Sequence, residues 1–251
     1  MYPVLFRIGT FEITSFGAMV AIGALAGLWI FQRELRRSGL PEQAADAAVA
    51  GLVGGLAGAK LLWVAEHFGE EPFLSLLLSR GGLSWFGGFA GGVGVALGVM
   101  IYRGWPIMPI LSAATPALAI GHAVGRIGCF LVGDDYGRPS LLPWAIAFPR
   151  GLPPTLTPVH PTQLYEAAAL VPIAWLLLRW RSQGRSDRAV LGLYLVLTAT
   201  LRFLIEIIRI NVRVALGLTV AQWVSIVLIV IGAALLAGAS GTKSVAPKPA
   251  R

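Results

Sequence analysis

Seven stretches of mainly apolar residues constrain this chain more than any other feature, each near the roughly 20 residues that a bilayer core asks of a helix. They run near Ser15–Phe31, Ala44–Val64, Phe86–Tyr102, Ile107–Val124, Gln163–Trp180, Ala189–Ile208 and Val220–Ala239. Charged residues make up 13% of the chain and hydrophobic ones 56%. A soluble domain carries about twice that share of charge. The pattern predicts an all-α fold, a polytopic membrane helix bundle with about seven transmembrane helices. Residues 1–240 read as one transmembrane domain, and the Pro/Lys/Ser-rich tail 241–251 as a disordered cytoplasmic segment.

The net charge of +8 does not call for nucleic acid in such a chain. Excess Lys and Arg collect in cytoplasmic loops and set orientation. Arg33, Arg36 and Arg37 follow the first stretch, Arg103 the third, and Arg179, Arg181, Arg185 and Arg188 flank the turn after the fifth. Lys243, Lys248 and Arg251 end the chain. With seven spans these places share one side, so the N-terminus is expected outside the cytoplasm and the C-terminus inside. The opening Met1–Gly9 has neither the basic start nor the cleavage site of a secretory signal, so the first span is expected to be retained. Cys129 is the single cysteine, which excludes an internal disulfide and a Cys-based metal cluster.

Glycine and alanine crowd several spans, as in Gly51–Gly58 and Gly87–Gly94. In lipid, small residues let helix backbones approach closely, so these glycines are read as packing positions.

The polar knots are the informative exceptions. Gly125-Arg126-Ile127-Gly128-Cys129 and Gly133-Asp134-Asp135-Tyr136-Gly137-Arg138 follow the fourth stretch directly. Arg126, Arg138 and Arg150 lie on the side where arginine is not expected, and an anionic headgroup supplies a reason. Guanidinium matches phosphate bidentately and stays charged at any relevant pH. His160-Pro161-Thr162-Gln163-Leu164-Tyr165-Glu166 opens the fifth span, where Glu166 is expected inside the bundle with an arginine partner. Arg202, Glu206 and Arg209 follow at spacings of four and three, which places them on one helix face. Together these groups read as a phospholipid-handling site at the membrane surface. Lys60 and His122 are further candidates because they are ionisable within spans. His160 is equally a loop or capping residue, and His67 with Glu66, Glu70 and Glu71 makes no case for a metal.

The same segments resemble the prolipoprotein diacylglyceryl transferases of bacterial inner membranes. The resemblance runs over most of the chain. It is carried by Tyr2-Pro3-Val4 with Ile8-Gly9, by Gly81-Gly82-Leu83-Ser84-Trp85-Phe86-Gly87-Gly88, by Gly125–Arg138, by His160–Glu166, and by Arg202, Glu206 and Arg209. It implies transfer of a diacylglyceryl group from phosphatidylglycerol to the lipobox cysteine thiol of a prolipoprotein signal peptide, a protein modification in lipoprotein biosynthesis. Glycerol phosphate leaves, and no cofactor or metal is implied. Arg126, Arg202, Glu206 and His160 are then the expected catalytic residues. Arg126, Cys129, Asp134, Gly137, Arg138, Gln163, Tyr165, Glu166, Arg209 and Lys60 are expected to bind substrate.

The chain departs from the family pattern at several places. Phe16 stands for a usual tyrosine and Phe86 for a usual histidine. Cys129 and Val132 stand for asparagines, and Asp134-Asp135 for Glu followed by an apolar residue. His160, Asp134 or Glu206 is left as the base. The departures keep two other readings open: a diverged member using an anionic phospholipid with another acceptor, and a non-catalytic lipid-binding or transport protein on the same scaffold.

Overall fold

The computed structural model describes residues 4–9, 11–79 and 82–239. Strands β1 (Val4–Ile8) and β2 (Phe11–Thr14) form an antiparallel pair that leads into α1 (Ser15–Arg37). Helices α2 (Ala44–Glu66), α3 (Phe73–Leu78), α4 (Trp85–Tyr102) and α5 (Ile107–Val132) follow. A second antiparallel pair, β3 (Ile146–Phe148) and β4 (Thr155–Val159), precedes α6 (Thr162–Ser182), α7 (Asp187–Ile208) and α8 (Val220–Ala237).

The seven expected spans coincide with every helix except the six-residue α3. Helices α1, α2, α5, α7 and α8 are long and apolar enough to cross a membrane. Helix α4 is a shorter apolar helix, and α6 carries Glu166, Arg179 and Arg181 along its length. The protein is therefore a predominantly helical, polytopic membrane protein. The expected disordered tail lies outside the described residues, as do Tyr2, Pro3 and Gly81 of the motifs.

Two compact units make up the chain, one from residues up to Phe31 and from Leu111 onward, the other from Gln32 to Ile110. In the second unit α2 and α4 meet through glycine backbones. A Cβ added at Gly58 would lie 2.4 Å from the Gly87 carbonyl oxygen, and one at Gly91 would lie 2.4 Å from that of Gly54. Only hydrogen fits in such a seam, so the helices approach to backbone contact.

The first unit uses the same device more sparingly. Gly23 of α1 faces the Gly121 carbonyl of α5, and Gly192 of α7 faces Gly232 of α8. Its apolar core gathers Ala119 and Ala123 of α5, Leu170, Ala174 and Leu177 of α6, and Val190 of α7, all buried. Three helices that carry polar residues near their ends are thereby held side by side. Helices α5 and α6 run through Pro116 and Pro172 without interruption; membrane helices tolerate proline where neighbours satisfy the freed backbone groups.

The expected end of the fourth span near Val124 is corrected by eight residues. Helix α5 continues to Val132 because Ile127, Phe130, Leu131 and Val132 extend its apolar surface. It stops at Gly133, whose φ of +80° is a left-handed conformation that glycine adopts without Cβ strain. The Gly133 and Asp134 N–H groups both donate to the Cys129 carbonyl, at 2.8 and 3.2 Å, closing the helix end in the way glycine-terminated helices do. Arg126 and Cys129 thus sit on a helix, three apart on one face, rather than in a loop.

Candidate active site

The site is assembled from the end of α5, the turn after it, the start of α6 and the end of α7. The turn is placed by its backbone. Gly137 N–H donates to the His160 carbonyl at 2.9 Å, His160 N–H to the Arg138 carbonyl at 3.1 Å, and Arg138 N–H to the Ile208 carbonyl at 2.8 Å. These bonds stitch the turn to the chain entering α6 and to the last turn of α7. Gly137 is required by space: a Cβ there would come within 2.9 Å of His160 Cβ, the Ile208 carbonyl and Thr162 Cγ2. The first turn of α6 completes the clamp. Thr162 Oγ1 donates to the Asp135 carbonyl at 2.7 Å, and the Gln163 amide donates to the Asp134 carbonyl.

Within this frame three arginines and three carboxylates alternate in a closed ring. Arg126 Nε lies 2.5 Å from Glu166 Oε2, and Glu166 Oε1 lies 3.2 Å from Arg202 Nη1. Arg202 Nη2 lies 2.9 Å from Glu206 Oε2, which in turn lies 4.0 Å from Arg209 Nε. Arg209 Nη2 pairs with Asp135 Oδ1, and Asp135 Oδ2 returns to Arg126 Nη1 at 2.9 Å. Asn211 Nδ2 donates to the remaining oxygen of Glu206 at 2.5 Å. Buried charges need partners of opposite sign, and this arrangement gives each at least two.

Exposure around the ring is uneven. The side chains of Glu166 and Glu206 are 2% and 0% exposed, whereas Arg202 is 25% and Asp135 is 41% exposed. Asp135 is also held at φ +62°, a conformation that few residues other than Gly, Asn and Asp adopt readily. Five buried polar atoms at the ring have no hydrogen-bond partner among the described residues: Arg126 Nε and Glu206 Oε2, which do face ion-pair partners, and Arg209 Nη1, Gln163 Oε1 and Asp134 Oδ1.

The two aspartates of the turn differ in electrostatics. Burial pushes the Asp134 carboxyl above its ordinary range, and neighbouring Asp135 adds to the effect. Burial acts in the same direction on Asp135, but the Arg209 and Arg126 guanidinium groups outweigh it and hold that carboxyl below the usual range. The Cys129 thiol sits 3.8 Å from Arg126 Nη1. Cys129, Asp134 and Asp135 offer ligand atoms within 4.8 Å of one another. Both Asp135 oxygens already face guanidinium groups, which take the place that a cation would occupy.

The expected residues are placed as follows. Arg126, Arg202, Glu206, Glu166 and Arg209 form the ring, and Gln163, Cys129 and Asp134 lie against it. Tyr165 and His160 form a separate hub, where the Tyr165 hydroxyl accepts from Trp144 Nε1 at 2.7 Å and lies 3.3 Å from His160 Nδ1. Arg138 is exposed and Gly137 is buried. Lys60 belongs to the second unit, where its ammonium donates to the Ser79 carbonyl and hydroxyl at 2.9 and 2.8 Å and lies over the Trp63 ring. His122 lies one helical turn before Arg126 and feels the charges of Arg126, Glu166 and Arg202. Asp135 and Thr162 lie within the expected motifs but are not among the residues expected to act, and Asn211 lies outside every motif. The left-handed turn signalled by Gly133 was the one available cue for Asp135.

Comparison with known proteins bears on this arrangement. Residues 3–238 match the sequence model of a family described as prolipoprotein diacylglyceryl transferase. A phosphatidylglycerol–prolipoprotein diacylglyceryl transferase of Clostridium tetani is 30% identical over 241 residues, which cover 92% of this chain and 95% of the relative. The Methylococcus capsulatus protein of the same name is 33% identical over 261 residues, covering 96% and 97%. That of Methylobacillus flagellatus is 32% identical over 253 residues, covering 93% and 95%. A match of this extent, over a chain in which five of the described helices are long and apolar enough to cross a membrane, shows that the protein belongs to the prolipoprotein diacylglyceryl transferase family of multi-pass bacterial inner-membrane proteins.

Proposed function

We propose that this chain transfers a diacylglyceryl group from phosphatidylglycerol to the cysteine thiol of a prolipoprotein signal peptide, as its relatives' names state for them. The single observation that carries the reading is the ring of Arg126, Arg202 and Arg209 around shared carboxylates, with Arg202 partly exposed and Arg209 Nη1 unpartnered.

The chemistry follows from charge. A thiolate sulfur forms a bond to the glycerol carbon beside the phosphate, and the carbon–oxygen bond there breaks. The electron pair leaves on glycerol phosphate, whose oxygens gain negative charge. Guanidinium groups fixed in advance against those oxygens stabilise the transition state without reorganising. The ring supplies that fixity, because carboxylates on three sides hold the arginines in place.

The thiol, with a pKa of about 8.5, must lose its proton. Among the three expected bases, Asp134 fits best. Its proton affinity is raised by burial, and its Oδ1 has no partner. Glu206 is committed to Arg202 and Asn211, and His160 to the Tyr165 hub. The arginine-rich loops support a cytoplasmic C-terminus and an N-terminus on the other side, with which the ring would serve the outer leaflet.

The test uses purified full-length protein with phosphatidylglycerol labelled in its acyl chains and a lipobox peptide. Label on the peptide cysteine is the expected result. Glycerol phosphate release without labelled peptide would instead identify another acceptor, and lipid binding without turnover would remove the enzymatic reading.

A further inference from the structure

Asp135 is the least explained member of the ring. The other two carboxylates are buried on helices: Glu206 joins Arg202 and Arg209, which lie along one helix face, and Glu166 joins Arg126 of α5 to Arg202 of α7. Asp135 stands on an exposed turn, in a left-handed backbone conformation, and inserts its carboxylate between Arg126 and Arg209. Its two oxygens each take one guanidinium, which is the geometry with which an anion bridges two arginines. With it in place the ring is formally neutral. A neutral ring has no net attraction for an anionic headgroup.

The arginines it bridges retain donor capacity. Arg209 is 6% exposed by side chain, and its Nη1 has no hydrogen-bond partner among the described residues. A guanidinium carries five donors, so this buried N–H is left over from the pairing with Asp135 and Glu206. A phosphodiester offers two free oxygens where a carboxylate offers two, but carries them on a tetrahedral centre that reaches further donors.

We infer that the Asp135 carboxylate is an internal stand-in for the substrate phosphate, bridging Arg126 and Arg209 until a phosphate-bearing headgroup displaces it. The inference rests on the proposed lipid-transfer reading of the same ring. Displacement swings Asp135 toward solvent, to which its side chain is already 41% exposed, while Glu166 and Glu206 keep the arginines positioned. The ring then holds three guanidinium groups against two carboxylates, and the excess positive charge is matched by the bound phosphate. Asp135 thereby sets donor affinity: a lipid binds only if it outcompetes a tethered anion. The empty site stays closed to weaker anions, and its arginines stay desolvated and paired between turnovers.

Asp135→Asn and Asp135→Gly test this, because Asn and Gly are the residues best suited to the φ +62° backbone and keep the turn. Full-length protein is assayed in micelles of phosphatidylglycerol diluted in phosphatidylcholine. KM and kcat are read separately, and retention of headgroup-labelled phosphatidylglycerol is read in parallel. The expected result is a KM for phosphatidylglycerol about tenfold lower in both variants, with tighter lipid retention. A residue that only props the arginines would lower kcat and leave KM unchanged or raised, and that outcome overturns the inference. So does failure of both variants to fold, since a displaceable contact cannot be a condition of folding. Soluble glycerol phosphate, added as inhibitor, separates the two sources of phosphate: tighter inhibition with unchanged KM would mark a free-anion site and also overturn it. The retention readout keeps the question apart from acceptor identity, because it scores displacement even if no peptide is labelled.

Discussion

Glu166 Oε2 stands 2.5 Å from Arg126 Nε, joining α6 to α5 through a contact that is almost completely buried on the carboxylate side. The other oxygen of the same carboxylate reaches Arg202 on α7. One side chain therefore fixes the separation of two guanidinium groups on different helices, and its loss must be felt in both position and stability.

Arg126→Ala and Arg202→Ala are each expected to reduce lipid transfer by at least about 100-fold, the scale seen when a fixed donor is removed from a developing charge. Arg126→Ala also leaves Glu166 and Asp135 short of a partner, and removing one member of a buried ionic group costs roughly 3–5 kcal/mol. Thermal unfolding in detergent should register that loss alongside the assay. An Arg126→Ala protein with normal transfer would show that the ring is not the reaction centre.

Glu166→Gln keeps the shape but removes the charge between Arg126 and Arg202. A double-mutant cycle with Arg126→Lys is expected to give a coupling of about 1–3 kcal/mol in unfolding free energy. Additive effects would mean that the 2.5 Å contact contributes nothing on its own.

Gly137→Ala and Gly125→Ala form a matched pair. A methyl at Gly137 meets three heavy atoms at 2.9 Å, two of them on the chain entering α6, whereas nothing lies within 4 Å of one at Gly125. Gly137→Ala should therefore lower the unfolding midpoint and transfer together. Gly125→Ala, in the body of α5, should be neutral or stabilising by up to about 1 kcal/mol.

Asp134→Asn is expected to stabilise the protein near pH 7 and to have no effect near pH 3. The folded Asp134 carboxyl is shifted upward, chiefly by burial. Such a group contributes stability below its unfolded value, about 3.9, and loses that contribution as pH rises through the folded value. Asp135 has the opposite sign, since Arg209 and Arg126 overcome its burial and shift it downward. Its contribution is present above the unfolded value and disappears as pH falls through the folded one, so Asp135→Asn should flatten the acid limb of the stability curve. Unfolding midpoints of the two variants from pH 3 to 8 check both signs.

Much of this site was readable because charge inside apolar helices is conspicuous. Arg202, Glu206 and Arg209 declare a shared face by spacing alone, and Glu166 asks for an arginine as soon as it is placed inside a span. What the residues could not say is which partners meet across helices, since that depends on the glycine and alanine contacts that set helix separation. Asp134 and Asp135 are chemically identical in sequence, and the φ of +62° decides which of them turns inward to the arginines. Thr162 and Asn211 look like ordinary residues at helix ends. The course of α5 past Gly125 and Gly128 was hidden because glycine suggests a break in water, whereas here Gly128 packs against Met19 and Phe16 of α1. Strands β1 to β4 are too short to show alternation against the background of apolar spans.

The meeting of Gly192 and Gly232 gives α7 a fulcrum. A methyl on either residue would press to within 2.7 or 2.8 Å of the opposing carbonyl oxygen. Arg202 lies ten residues further along the same rod, about 15 Å away at 1.5 Å per residue. A bulky residue at Gly232 would tilt that rod and swing the guanidinium at its far end, so a genetic screen for inactive variants should return lesions at this distant hinge that mimic damage to the chemistry itself.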